Sequence, residues 1–579
     1  MKLRYIIFAM LGISALGTSA AQETKTVKLR LIETSDVHGS FFPYNFIERK
    51  ETRGSMARVS SYVNKLRKQY GENVILLDNG DILQGQPTCY YYNYIATDKP
   101  NIVSKILNYM HYDAVAVGNH DIEPGHAVYD KWIGEMNCPV VGANIINTAT
   151  DQPYVKPYTI VERDGVKVAV LGMLTPAIPC WLAEDLWSGL RFESIEKSAA
   201  RWVKYIKEKE NPDVMVGLFH SGWSGGISTS EYNEDAAQTT AQAVGGFDVI
   251  FFGHDHRARA VEEKSNSGNV VLCLDPSCNA MNVGDAQIEL TVKDGKVIDK
   301  KVTGEVHDIT EEPVDEKYVS YFSKDIEEVK QYVSKKIGEL TKTMYTKDSF
   351  FGSSMFIDLI HNLQLKITGA DVSFNAPLQF NASLKAGPVY MSDMFKLYRY
   401  ENKLCVLRMT GEEIRKHLEM SYDLWVNTMK SPDDHIMQLD ERNVSDMQKF
   451  GFRNMTFNFD SAAGIDYVVD VTKPDGQKVK ILRMSDGKKF NPKKWYKVAM
   501  NSYRANGGGE LLTNGAGIPK EELPQRIIYK SDLDLRYYLA EEIKNQVTLT
   551  PSANNNWRFV PEKLVKPAIE RDRKLLFGE

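Results

Sequence analysis

Beyond Leu16 the sequence has no apolar run long enough to span a bilayer as a helix. It has no excess of positive charge either. Lys and Arg total 71 against 76 Asp and Glu, a formal net charge of −5, so the basic face that a polynucleotide needs is missing. Small anions are not excluded, because bound cations can supply positive charge locally. Cysteine is scarce, with six in 579 residues and none at zinc-finger spacing. Cys273 and Cys278 are the nearest pair, but spacing alone leaves any disulfide connectivity open. There is no internal repeat and no low-complexity tract.

The first residues read as an address. Lys2 and Arg4 precede the apolar stretch Tyr5–Leu16, and Thr18, Ser19, Ala20 and Ala21 are small. This is the layout of a secretory signal peptide cleaved near Ala20 or Ala21. A leader over 1–21 is therefore expected, with a secreted product that is periplasmic if the source is a Gram-negative bacterium. No membrane insertion is expected.

From Val27 onward, short β-branched runs alternate with polar stretches. Val27–Ile32, Val74–Leu77, Ala114–Val117, Val168–Leu171, Val214–Phe219 and Val249–Phe252 read as strands buried on both faces. Met56–Arg67 and Ser194–Lys207 between them have helical character. The sum is a layered α/β domain. In Ser323–Leu340, Ile326, Val329, Val333, Ile337 and Leu340 recur at helical spacing, which predicts an amphipathic helix joining this domain to a second one.

The polar residues that close these strands carry the chemistry. They are Asp36-Val37-His38, Asp78-Asn79-Gly80-Asp81, Gly118-Asn119-His120-Asp121, His220, and Gly253-His254-Asp255-His256. Ligand sites of α/β folds lie outside the carboxyl ends of strands, so the five clusters are expected to converge. In extended chain, residues two apart point the same way, so the spacing lets Asp36 with His38, and His254 with His256, reach one ion together. Carboxylate, imidazole and amide donors suit Zn²⁺, Mn²⁺ or similar ions better than Ca²⁺, and Asp81 is a candidate bridge. His111, His126, His307, His361, His417 and His435 lie outside the clusters and read as structural or surface residues. A metal-free covalent route is not expected, for want of a nucleophile motif.

These segments resemble those of the calcineurin-like metallophosphoesterases and, within them, the secreted 5'-nucleotidase family, over nearly the whole chain after the leader. The resemblance implies an α/β fold: a four-layer α/β/β/α metallophosphoesterase domain (22–320), a linker helix (321–342) and a second α/β substrate-binding domain (343–579). It implies two divalent metal ions, Zn²⁺, Mn²⁺ or Co²⁺ with Mg²⁺ as an alternative. One would be held by Asp36, His38, Asp81 and His256, the other by Asp81, Asn119, His220 and His254. Some family members have Gln at the position of His256. His120 is implied to face the phosphate next to the leaving oxygen, and Glu123 to hold its ring where relatives use Asp.

In the second domain the family holds a nucleotide base between two aromatic rings, which places Tyr400 and Tyr503 here. Asn375 and Asn506 are implied substrate contacts. The Asn-Gly-Gly-Gly-x-Arg segment of 5'-nucleotidases is replaced by Asn375-Ala376-Pro377-Leu378-Gln379-Phe380, so the phosphate-gripping Arg is lost. This resembles the 2',3'-cyclic-nucleotide 2'-phosphodiesterase/3'-nucleotidase branch, as do Phe457-Asn458-Phe459-Asp460, Asn501-Ser502-Tyr503-Arg504 and Asn554-Asn555-Asn556-Trp557-Arg558. The expected partners are small-molecule nucleotides, with no polynucleotide, and the chain is expected to be a monomer. Three rivals remain. A 5'-nucleotidase or nucleotide-sugar hydrolase would need Arg504 or Lys385 in place of the lost Arg. A thiosulfate-ester hydrolase would leave the Tyr pair no base to bind. A non-catalytic nucleotide-binding surface protein should have lost ligands.

Overall fold

The computed structural model describes residues 24–444 and 449–579; the expected leader lies outside them. The first domain is built on two six-stranded sheets. In one, the parallel strands Thr24–Thr34, Val74–Asp78, Ala114–Ala116 and Val140–Val141 are extended by the antiparallel strands Asn282–Lys293 and Lys296–Asp308. In the other, Val166–Leu174, Val214–His220, Val249–Phe252 and Val270–Asp275 are parallel, with Tyr158–Arg163 and Arg259–Lys264 antiparallel at the edges.

The β-branched runs explain the layering. Leu29, Leu31, Ile75 and Leu77 of the first sheet share one core with Val168, Val170, Val216 and Phe251 of the second. Each outer face is covered by helices. Met56, Val59, Val63 and Leu66 of the helix Met56–Tyr70 cover one, and Ile195, Ala199, Val203 and Ile206 of Ile195–Lys209 cover the other. Ser194 caps the latter by accepting from the Lys197 N–H at 3.4 Å. This is the expected α/β/β/α arrangement. The parallel strands that end in candidate ligands run toward the same edge of the sandwich.

The amphipathic helix is shorter than its periodicity suggests. It covers Ser323–Val333, and Lys336–Leu340 is instead a strand antiparallel to Gly387–Tyr390. The apolar spacing of Ile337 and Leu340 fits a helix or a short strand equally. Packing decides it: both residues enter a core of the second domain with Phe356, Ile360 and Leu539. Gly338 lies so close to the helix Leu535–Gln546 that a Cβ would stand 2.7 Å from Ile543 Cγ2.

The second domain centres on a five-stranded sheet in the order Ser461–Ala463, Val372–Asn375, Trp495–Asn501, Lys403–Thr410 and Ile527–Asp534. Two neighbouring strands of this sheet pair with Leu404 opposite Asn501. That register brings the residues before Lys403 and those after Asn501 to one end of the sheet, so Tyr400 and Tyr503 emerge together. Between this end and the carboxyl ends of the first domain's strands lies a cavity of about 810 Å³.

One buried ion pair ties the antiparallel extension to the parallel strands. Arg30 Nε donates to Asp285 Oδ1 at 2.9 Å, and Tyr62 OH donates to Oδ2 at 2.5 Å. Asp285→Ala leaves Arg30 buried without its partner and is expected to destabilise the fold by about 3–5 kcal/mol, read from urea unfolding. A midpoint equal to the parent's would refute that role.

Candidate metal centre and interdomain cavity

Five of the seven sequence-predicted ligands sit on left-handed backbone: Asp36 (φ 51°), His38 (46°), Asp81 (56°), His254 (75°) and His256 (59°). Each such residue costs about 1–2 kcal/mol, and such outliers cluster at functional sites. Hydrogen bonds hold them. Asp121 accepts the backbone N–H groups of Asp81, Ile82 and Leu83 at 2.8–2.9 Å, and of Gly118 at 2.8 Å. The Asp36 N–H bonds Gly80 O, and the His38 N–H bonds Asp81 O, each at 3.0 Å.

The side chains form two groups. Asp36, His38 and His256 converge in one, and Asp81, His220 and His254 in the other. His38 Nε2 and His256 Nε2 are 3.0 Å apart, and His256 Nε2 is 3.2 Å from Asp36 Oδ1. His220 Nε2 lies 3.3 Å from Asp81 Oδ2 and 3.1 Å from Asn119 Oδ1. The spacing of His254 and His256 allows them to serve one ion, but the structure puts them in different groups, the division that the resemblance implies. Left-handed turns at both residues send the two imidazoles into different groups. Asp36 and His38 do meet, but through a tight turn rather than extended chain.

The donor set fits two divalent cations. Asp36 Oδ1 is fully buried and its one close nitrogen, His256 Nε2 at 3.2 Å, is not aligned as a hydrogen bond, so a buried carboxylate oxygen and an imidazole nitrogen both face the space a cation would fill. Each of three imidazoles has one nitrogen facing a protein oxygen, the arrangement that orients metal-ligating histidines. His38 Nδ1 faces Gln84 O at 3.3 Å, His220 Nδ1 faces Asn79 O at 2.8 Å, and His254 Nε2 faces Glu234 Oε1 at 3.1 Å. Burial, then the neighbouring His256, push His38 down to about 3, so it presents neutral nitrogen. Burial also opposes charge on His254, but Glu234 and Asp235 outweigh it and raise the ring to about 10; a cation would displace that proton.

His120 stands beside both groups without joining either. Its N–H donates to Asp81 Oδ1 at 2.7 Å, and its Nδ1 meets Glu123 Oε2 at 2.5 Å. Burial lowers its pKa, but Asp81 and then Glu123 more than compensate and hold it at about 9. Two cations would cancel the share of Asp81 and themselves oppose charge on the ring, leaving Glu123 as the group that favours its proton.

Across the cavity the Tyr400 ring lies parallel to His120, with centroids 6.3 Å apart at 8°. Tyr503 lines the same cavity with Phe457 set edge-on to it at 6.0 Å. Asn375 and Asn506 are not on the cavity wall. Asn375 is buried, with its Oδ1 accepting from Ala376 N–H at 3.1 Å. Asn506 donates to Ser502 O within its own turn at 2.6 Å. Arg504 is spent internally: its guanidinium grips Asp460 at 2.8 and 3.0 Å and is 3% exposed. Lys385 is exposed and lines no part of the cavity.

The sequence reading missed several wall residues. Trp181 faces the His254 ring at 5.7 Å, and Glu234 reaches it from the hairpin formed by Gly225–Ser228 and Asn233–Asp235. Neither has a periodic or motif signal. Phe457 was visible only as part of a resembling stretch. The expectation that no nucleophile motif is present needs one correction. Gly222-Trp223-Ser224-Gly225-Gly226 has G-x-S-x-G spacing, but it leads from a strand into that hairpin, not into the helix a nucleophile elbow needs. All six cysteines are unbonded.

Comparison with known proteins identifies both domains. The calcineurin-like phosphoesterase family model matches residues 29–258, and the 5'-nucleotidase C-terminal domain model matches 336–514. A 2',3'-cyclic-nucleotide 2'-phosphodiesterase/3'-nucleotidase of Haemophilus influenzae is 27% identical over 96% of this chain and 90% of its own. Protein UshA of Escherichia coli is 25% identical over 92% of this chain and 98% of its own. Among solved structures, a 5'-nucleotidase precursor of Thermus thermophilus superposes with a TM-score of 0.62 at 19% identity, covering 92% of this chain and all of that one.

Asp121→Ala removes the acceptor of four N–H groups behind Asp81. It is expected to weaken Mn²⁺ binding about 10–100-fold, measured by calorimetric titration of the metal-free protein. Unchanged affinity would show that the turn holds itself.

Proposed function

We propose a reaction for a chain that belongs to the calcineurin-like phosphoesterases and carries a 5'-nucleotidase C-terminal domain: it opens 2',3'-cyclic nucleotides to 3'-nucleotides and then removes the 3'-phosphate. The observation that carries this reading is the placement of Tyr400 and Tyr503 on one cavity wall with His120, Asn119 and His254, with the His38 ring of the other ligand group 5.5 Å from that of His120. A base stacked on such rings gains roughly 1–3 kcal/mol with little base preference, and the phosphate is then presented to His120.

In this reading Asp36, His38, Asp81 and His256 hold one divalent cation, and Asp81, Asn119, His220 and His254 the other. When bound, the pair supplies charge neutralisation of the phosphoryl oxygens and an activated water. Glu123 fixes Nδ1 of His120, so the proton on Nε2 is the one available to the leaving oxygen. Tyr400 and Tyr503 orient the nucleoside. The cavity gives the ester a site bounded by both domains.

The choice of 2' and 3' esters rests on the missing Arg after Asn375. Arg504 is committed to Asp460 and Lys385 lies off the cavity wall, so neither substitute suits a 5'-phosphate. The Haemophilus relative of that name supports the same choice. Export and a monomeric state complete the proposal; among the described residues no helix is long and apolar enough to cross a membrane.

The test is product release from 2',3'-cyclic AMP, 3'-AMP and 5'-AMP in parallel with Mn²⁺ present. Turnover of the first two with little 5'-AMP hydrolysis is expected; dominant 5'-AMP hydrolysis would make the chain a 5'-nucleotidase. His120→Asn is expected to retain its cations, by elemental analysis, and to lose about 10²–10⁴-fold in kcat. Near-parental turnover would remove His120 from the chemistry.

A further inference from the structure

The Tyr400 ring has no regular element beneath it. It sits in the segment 398–402, between the helix Met391–Leu397 and the strand Lys403–Thr410. A loop of that kind should let an aromatic ring wander. The structure shows what stops it. Arg536, in the first turn of the helix Leu535–Gln546, is fully buried. Its Nε donates to Tyr398 O at 3.1 Å, its Nη2 to Arg399 O at 2.5 Å, and its Nη1 to Glu401 Oε1 at 2.8 Å. The next residue in the loop, Asn402, accepts the Leu535 N–H at 2.9 Å. Four of the five loop residues are thus tied to Leu535 and Arg536, and Tyr400 is the one left to project.

The same guanidinium faces the first domain. It packs over the Phe395 ring at 3.9 Å on its own side and over Tyr90 at 4.8 Å across the interface. The Tyr90 hydroxyl donates to Asp534 Oδ2 at 2.8 Å. Glu401 completes the crossing: its Oε2 accepts from Gln84 Nε2 at 3.3 Å, and the backbone carbonyl of Gln84 faces His38 Nδ1 at 3.3 Å. A chain of contacts therefore runs from the ring that would carry the base, through Arg536 and Glu401, to a candidate metal ligand.

We infer that Arg536, with Glu401, is the positioning residue that fixes Tyr400 opposite His120 and so sets the distance between base recognition and phosphate chemistry. The inference rests on the proposed role of Tyr400 as a base-stacking ring. Geometry makes arginine the residue for this task. Three acceptors are arranged around one planar fork, and a planar cation can also stack on aromatic rings. Lysine offers a point charge that cannot meet three acceptors in fixed directions. A buried arginine wrapped by carbonyls can also be a purely structural device, and the two roles differ in what they do to substrates that lack a base.

The experiment compares Arg536→Lys, Tyr400→Ala and the double variant on 3'-AMP and on ribose 3-phosphate, with metal content and thermal midpoint measured on each. For Arg536→Lys the expected result is a KM for 3'-AMP raised about tenfold, kcat for ribose 3-phosphate within about twofold of the parent, and cations retained. The double variant should show no further rise in KM over Tyr400→Ala, because both changes remove one interaction. Glu401→Gln serves as the second variant if Arg536→Lys does not fold, with the same split expected. If Tyr400→Ala leaves the 3'-AMP KM unchanged, the base-stacking role itself is wrong. If Tyr400→Ala raises it but Arg536→Lys lowers turnover of both substrates equally, or adds fully to Tyr400→Ala, Arg536 is structural only and the inference is overturned.

Discussion

The site depends on how Asp81 is held. The structure places this carboxylate with His220 and His254, and in the proposed assignment it also completes the group of Asp36, His38 and His256. Its backbone is left-handed at φ 56°. Its own N–H bonds Asp121 at 2.8 Å, its carbonyl accepts from the His38 N–H at 3.0 Å, and its Oδ1 accepts from the His120 N–H at 2.7 Å. One turn therefore joins three strand ends. The close approach also dictates a neighbour: a Cβ at Gly118 would lie 2.1 Å from Asp81 Oδ1, so glycine there is a steric requirement rather than a matter of flexibility. The strained turns are tolerable because the sandwich beneath them is apolar and continuous. Its strands deliver the clusters to one edge with little freedom.

Much of this was legible because it is local in sequence. A β-branched run followed at once by Asp, Asn or His states both the strand and the ligand at its end, and the fold has only to bring the ends together. The partition of ligands was not legible from spacing. His254 and His256 are two residues apart, and the rule of alternating side chains fails once both residues turn left-handed. The segment Lys336–Leu340 failed for a related reason. Ile337 and Leu340 satisfy a helical period and a short strand alike, and only their packing in the second domain separates the two. Glu234, Trp181 and Arg536 leave no local trace at all. Each acts through a partner far along the chain, and a lone carboxylate, indole or guanidinium in a mixed sequence is usually unremarkable.

In the proposed reading chemistry and recognition are divided between the domains, so the interface becomes part of the site. It is polar and specific, with Tyr90 on Asp534, Gln84 on Glu401 and Lys530 on Asp185. Arg504 and Arg536 have parallel duties. The first binds Asp460, Phe457 O and Asn458 beside Tyr503, and the second binds the loop that carries Tyr400. Two buried guanidinium groups thus stiffen the two walls of a cavity that Asn119, His120 and His254 also line. A buried arginine beside Tyr503 need not grip phosphate to matter, and in the proposed reading the lost Arg after Asn375 leaves the phosphate to the metal side of the cavity.

The central claim is that Asp81 bridges two cations. Elemental analysis of the protein reconstituted with Mn²⁺ and freed of excess metal, with Asp81→Asn alongside, tests it most directly. The account predicts about two Mn²⁺ per parent chain, as a bridged pair requires, and loss of both together in Asp81→Asn. A single Mn²⁺ per parent chain, or an Asp81→Asn protein that keeps its full complement, would contradict it.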